Sequence, residues 1–257
     1  MAIVGLGDAR IAFDEFGTGD PVLLLHGFPA TRALWSQVAP RLAEAGYWVL
    51  APDLVGYGES ESAPGVGVGM GNQARWMLTL LERFGIRRTA LVAHDVGTAA
   101  AQLMLVRAPE RIRALVLMDG VYGSEWAMEA VASIQSWEPE QAARLVPVLT
   151  RRLGKTMREI LAAYEGEEGG RRLIRAARDL DPSETADVLE ELKHRRVPAL
   201  VLWGDRDPFF PVDKVARPLA DLLGAELRVF PGGHFLPLDA AESVSSALCA
   251  FLAKEGQ

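Results

Sequence analysis

Short, unbroken apolar runs alternate with amphipathic stretches along the first 120 residues. The runs at 22–25, 48–51, 89–93 and 112–118 are too short for helices and end at His, Pro or Asp. Between them, residues 34–45, 73–84 and 98–107 carry apolar positions at helical spacing and stop at Gly46, at Gly85 and before Pro109. Residues 9–14 alternate weakly and predict an edge strand. Continuous apolar strands separated by helices predict a parallel sheet covered on both faces. From 122 to 196 the pattern changes: 138–149, 157–164, 170–179 and 184–193 read as helices with no strand among them. Strands at 199–203 and 227–230 then resume the alternation, with helices at 213–223 and 243–252. The chain thus divides into a core of residues 1–121 and 197–257 and a helical insertion, 122–196. The insertion is expected to cover the C-terminal edge of the sheet, where open α/β folds bind ligands. The Gly-rich stretch 64–71 reads as a mobile loop; its glycines lack the spacing of a phosphate-binding turn.

Composition narrows the function classes. The 257 residues are 49% hydrophobic and 24% charged, as in ordinary globular proteins, and suffice for one large core. A net charge of −7 argues against a nucleic-acid partner. The single cysteine, Cys249, excludes an internal disulfide. No basic start followed by an apolar run marks a signal peptide, and no apolar stretch reaches membrane-spanning length. The expectation is a cytoplasmic enzyme, monomer or homodimer, acting on a small apolar molecule without membrane or nucleic-acid partners. Four histidines without paired spacing predict no zinc site, and no cofactor is expected.

The chemistry concentrates at Asp95. It follows the apolar run of residues 89–93 in Ala93-His94-Asp95-Val96-Gly97, the shape of a strand-to-helix turn that exposes one side chain above a sheet. A carboxylate there needs no base to become a nucleophile, unlike a serine, and it suits attack on an activated saturated carbon. Asp207 follows the run 199–203 in Gly204-Asp205-Arg206-Asp207, and His234 follows Pro231-Gly232-Gly233. The order nucleophile, acid, histidine is that of a nucleophile-elbow hydrolase. The loop His26-Gly27-Phe28-Pro29 can lend the Phe28 N–H to an oxyanion hole, paired with the N–H of Val96. Among bland candidates, His94 and His26 read as loop-bonding residues, His194 as a solvated helix end, Asp53 as a loop tie and Asp205 as an exposed neighbour of the acid.

These motifs, together with Asp53-Leu54-Val55-Gly56-Tyr57-Gly58-Glu59-Ser60 and Asp207-Pro208-Phe209-Phe210-Pro211, resemble the α/β-hydrolase superfamily over essentially the whole chain. The resemblance implies a mostly parallel eight-stranded sheet with helices on both faces and a helical lid. Asp95 makes the chain similar to epoxide hydrolases and haloalkane dehalogenases, which form an alkyl ester on the aspartate and hydrolyse it with histidine-activated water. It implies Asp207 as the residue that orients His234, with Asp119, 24 positions after Asp95, as the alternative acid. Epoxide hydrolases donate to the epoxide oxygen from two lid tyrosines, which points to Tyr122 and Tyr164. Trp126 and Trp137 are further candidates for the pocket wall. Dehalogenases carry a halide-binding Trp after the nucleophile, where this chain has Val96. A small apolar epoxide is therefore the expected substrate; a haloalkane or haloacid, and an ester or lactone, are the alternatives.

Overall fold

The computed structural model describes residues 1–150 and 154–255. Nine strands form one sheet: β1 (Ala2–Leu6), β2 (Ala9–Phe16), β3 (Asp20–Leu25), β4 (Tyr47–Pro52), β5 (Glu61–Ser62), β6 (Thr89–His94), β7 (Ile112–Met118), β8 (Ala199–Gly204) and β9 (Glu226–Phe230). Eight follow the order β1-β2-β4-β3-β6-β7-β8-β9, and the two-residue β5 pairs only with β2. Every pairing from β4 through β9 is parallel, and β1 and β2 add an antiparallel end. The strand expected at the edge, 9–14, lies inside the sheet, because residues 2–6 form a further strand that covers it. That strand is mostly exposed and carries Gly5, so its pattern is too weak to read alone.

The central strands are buried on both faces, and this is why their sequences are uninterrupted apolar runs. Alternate residues face opposite cores. Leu23, Leu25, Leu91, Leu115 and Leu117 pack on one side; Val22, Leu24, Val92, Val116 and Leu202 pack on the other. The helix Gly97–Arg107 is buried from Gly97 to Val106, and its start is rich in small residues. A Cβ at Gly97 would lie 2.3 Å from the His26 carbonyl oxygen, so only glycine permits that approach of helix to strand.

Between β7 and β8 the described residues form helices and no strand within the sheet. They include Met128–Gln135, which the sequence pattern did not announce, and Pro139–Thr150, Lys155–Ala162 and Gly166–Arg178. The stretch read as one helix at 184–193 is two short ones, Ser183–Ala186 and Leu189–Lys193. This segment holds the loop 64–71, read from sequence as mobile. Arg172 bonds the Gly58 carbonyl, and Arg175 bonds the Ser62 hydroxyl and the Val66 carbonyl. Asp179 accepts from the Val68 N–H at 2.6 Å, and Glu184 from Met70 and Gly71 at 2.9 and 2.6 Å. Glycines predict backbone freedom, but here they leave backbone groups accessible that long polar side chains then bind. Among the described residues no helix is long and apolar enough to cross a membrane.

Candidate active site

Asp95 stands between β6 and the helix Gly97–Arg107 with φ +51°, a left-handed conformation that aspartate tolerates better than most residues. The turn is tied from within: the Thr98 N–H and hydroxyl both donate to the Asp95 carbonyl, at 2.9 and 2.6 Å. The Phe28 N–H donates to Asp95 Oδ2 at 2.7 Å, and the Val96 N–H also favours the ionised carboxylate. The expected donor Phe28 N–H therefore points at the aspartate's own oxygen. Gly27 makes room for this: a Cβ there would lie 2.3 Å from Asp95 Oδ2. Burial raises the Asp95 pKa, against the opposing pull of the His234 charge and the two N–H groups.

His234 lies over Asp95 from the loop after β9. Its Nε2 is 3.6 Å from Asp95 Oδ1, longer than a hydrogen bond. Its Nδ1 donates to Asp207 Oδ2 at 3.0 Å, and Asp207 Oδ1 accepts from the N–H groups of Phe209 and Phe210 at 2.8 and 3.1 Å. Burial alone would lower the imidazole pKa. The hydrogen bond to Asp207 and the charges of Asp95, Asp207 and Asp239 outweigh it, and the net shift is upward. Phe209, Phe210 and Phe235 surround the ring at centroid distances of 5.0–5.6 Å. Phe209 and Phe210 lie two and three positions after Asp207, and Phe235 directly follows His234, so the sequence places all three beside catalytic candidates without marking them as wall residues.

Asp119 is elsewhere. It follows β7, and its Oδ1 accepts from the Gly204 N–H at 2.7 Å. Asp207, not Asp119, carries the hydrogen bond to His234. The bland candidates hold loops. His94 Nε2 donates to the His234 carbonyl at 2.7 Å. His26 accepts from the Leu54 N–H at Nε2 and donates from Nδ1 to the Gly27 carbonyl, each at 2.9 Å. Asp53 is ion-paired with Arg32 and accepts from the Glu59 N–H.

A cavity of about 310 Å³ opens over Asp95 and His234. Its wall includes Phe28, Val96 and Phe209 from the core, and Trp126, Val131, Ile134, Met157, Leu161 and Leu180 from the helical segment. Asp95 and His234 are the only ionisable groups lining it among the described residues, and no tyrosine, serine or threonine does so. Trp126 lines it, and its indole N–H donates to Thr185 Oγ1 at 2.8 Å. The other three expected contacts need correcting. Tyr164 is fully buried outside the cavity, with its hydroxyl 3.3 Å from the Ala30 carbonyl. Tyr122 is absent from the cavity wall, half-buried in a local turn with Glu125. Trp137 lines a separate surface cleft beside Arg171 and Arg178. Aromatic identity alone could not tell these places apart, because the helical segment decides its inner face only by packing. The apolar residues that do form the wall were readable only as helix positions. No cluster of His, Cys, Asp and Glu able to hold a metal occurs among the described residues.

The chain belongs to the α/β hydrolase fold family, whose model matches residues 20–169, more than half its length. A 2-hydroxy-6-oxononadienedioate/2-hydroxy-6-oxononatrienedioate hydrolase from Burkholderia vietnamiensis is 28% identical, over 95% of this chain and 91% of that protein. A bifunctional epoxide hydrolase 2 from Sus scrofa is 36% identical over 111 residues, 43% of this chain and 20% of that one. An esterase from Thermogutta terrifontis matches in structure with TM-score 0.82 and 25% identity over the full length of both chains. The protein is accordingly an enzyme of the hydrolase type.

Proposed function

We propose that this hydrolase, with residues 122–196 as its lid, cleaves a small, neutral, apolar electrophile through an alkyl ester on Asp95. The observation that carries this reading is that Asp95 Oδ2 itself occupies an expected oxyanion donor, 2.7 Å from the Phe28 N–H. A substrate carbonyl would find that donor taken, which disfavours acyl transfer from an ester or lactone. An alkyl ester would keep its carbonyl oxygen there, where its negative charge develops when water attacks. The free Oδ1 would attack carbon, and the departing group would leave on the far side. His234, held by Asp207, would then take a proton from water in the neighbourhood of the ester. Among the described residues the wall has no lysine or arginine, so a dicarboxylate such as the Burkholderia enzyme's name describes lacks a permanent cationic partner in it.

Two substrate types fit. An apolar epoxide is supported by the sequence resemblance and by the local match to the Sus scrofa protein. A haloalkane is favoured by a specific observation: neither expected tyrosine reaches the cavity, and a halide, unlike an opening epoxide oxygen, needs no proton. The test is mass spectrometry of the His234→Gln variant incubated with 1,2-epoxyalkanes and 1-bromoalkanes. The Asp95 peptide should gain the whole epoxide mass, or the alkyl group alone from the bromide. No adduct with either, when wild type turns one over, refutes the alkyl-ester mechanism.

A further inference from the structure

The mechanism leaves one carboxyl group beside the site unused. Asp119 is 0% exposed and sits at φ +40°, a strained position at the end of β7. Its Oδ1 accepts the Gly204 N–H at 2.7 Å, where β8 passes into the turn that carries Asp207. No donor among the described residues reaches its buried Oδ2. The charged groups that act on it most strongly are Asp207 from that turn, Asp239 from the helix Leu236–Asp239, and Asp95 from the elbow, all acidic. An ionised carboxylate with one donor, no ion-pair partner among the described residues and three acidic neighbours is far costlier to bury than a neutral acid with one unmade hydrogen bond. Burial, the largest influence, raises its pKa well above the usual carboxylate range, and the acidic neighbours act in the same direction.

We propose that Asp119 keeps its proton at neutral pH and is a positioning residue. As a neutral acid it braces the Asp207 turn through Gly204 without adding a fourth negative charge to the group of Asp95, Asp207 and Asp239 that acts on His234. A charge there would stabilise the imidazolium and take away the base. The proposal rests on the reading that Asp207 and His234 serve Asp95, but its test needs no substrate, so the two can fail separately.

The test is a nuclear magnetic resonance titration of His234, with its signal assigned by loss in His234→Gln. Asp119→Asn, which copies the neutral acid, should leave the His234 midpoint within about 0.3 units, whereas Asp207→Asn should lower it by about one unit or more. A fall of about one unit in Asp119→Asn would mean that an ionised group had been removed, and would overturn the proposal. Thermal unfolding gives a second reading. The wild-type fold holds a proton that the unfolded chain releases above about pH 4, so its stability relative to Asp119→Asn should fall as pH rises from about 4 to 8. A relative stability that stays constant or rises over that range would overturn it. If the variant does not fold, infrared spectra of wild type and Asp95→Asn at pH 8 should still show the C=O stretch of a protonated carboxyl. Its absence from either would refute the assignment.

Discussion

Asp95 and His234 are close enough to act on one bound group, yet at 3.6 Å they do not bond each other, which leaves the imidazole free for a third participant. In the proposed mechanism that participant is water, and only neutral His234 can accept its proton. Because the imidazole pKa is raised, turnover limited by ester hydrolysis should fall on the acid side of a midpoint above 6.5, the ordinary histidine value. A kcat–pH profile with its acid limb below that value would contradict the ion-pair geometry. Asp207→Asn should reduce turnover by about 10³–10⁴-fold, the range known for the same change in a serine triad. Tyr164→Phe and Tyr122→Phe should each change turnover of epoxides and bromides by less than about threefold, since neither ring lines the cavity. A tenfold loss in either would bring the lid tyrosines back as ring-opening donors. Of the residues picked from sequence, those in the turns after β6, β8 and β9 and in the His26–Pro29 loop reach the site. Each stands at a strand end, where a local motif dictates the backbone.

At the scale of elements, the least legible feature is how the helical segment grips the core. The helix Met70–Arg83 begins after Gly69, which offers no side chain to its first N–H groups. Glu184, more than a hundred residues later, accepts two of them, as a local N-cap would. Glu184→Ala should therefore cost about 1–2 kcal/mol, on the scale of a lost N-cap. It should also speed proteolysis within 64–71. An unchanged urea midpoint and cleavage rate would show that these contacts do not hold the loop. Helix positions followed from periodicity, and boundaries shifted by a few residues. The helix Met128–Gln135 escaped notice because it has no buried residue and no side-chain cap to announce it.

Across the whole molecule, two cores lie on opposite faces of one sheet, and alternate residues of each central strand serve both. Leu24→Ala and Leu91→Ala empty opposite faces, so each should cost about 2–5 kcal/mol in equilibrium unfolding. Their costs should add to within about 0.5 kcal/mol if the faces are energetically separate. A coupling well beyond that would show that the sheet transmits strain between its faces.

The amino-acid pattern by itself determined the layered α/β architecture, the helical stretch between β7 and β8 and the four segments that meet at Asp95. These follow from short-range rules: period-two burial, helical spacing, glycines where backbones must touch. Only the tertiary structure decided which carboxylate meets His234. Asp119 and Asp207 both follow core strands, and three-dimensional placement gives one the imidazole and the other a backbone N–H. It also decided the lining of the cavity. A helix in the segment 122–196 can turn any apolar stripe inward, and long-range packing put Ile134 and Leu180 there in place of Tyr122 and Tyr164.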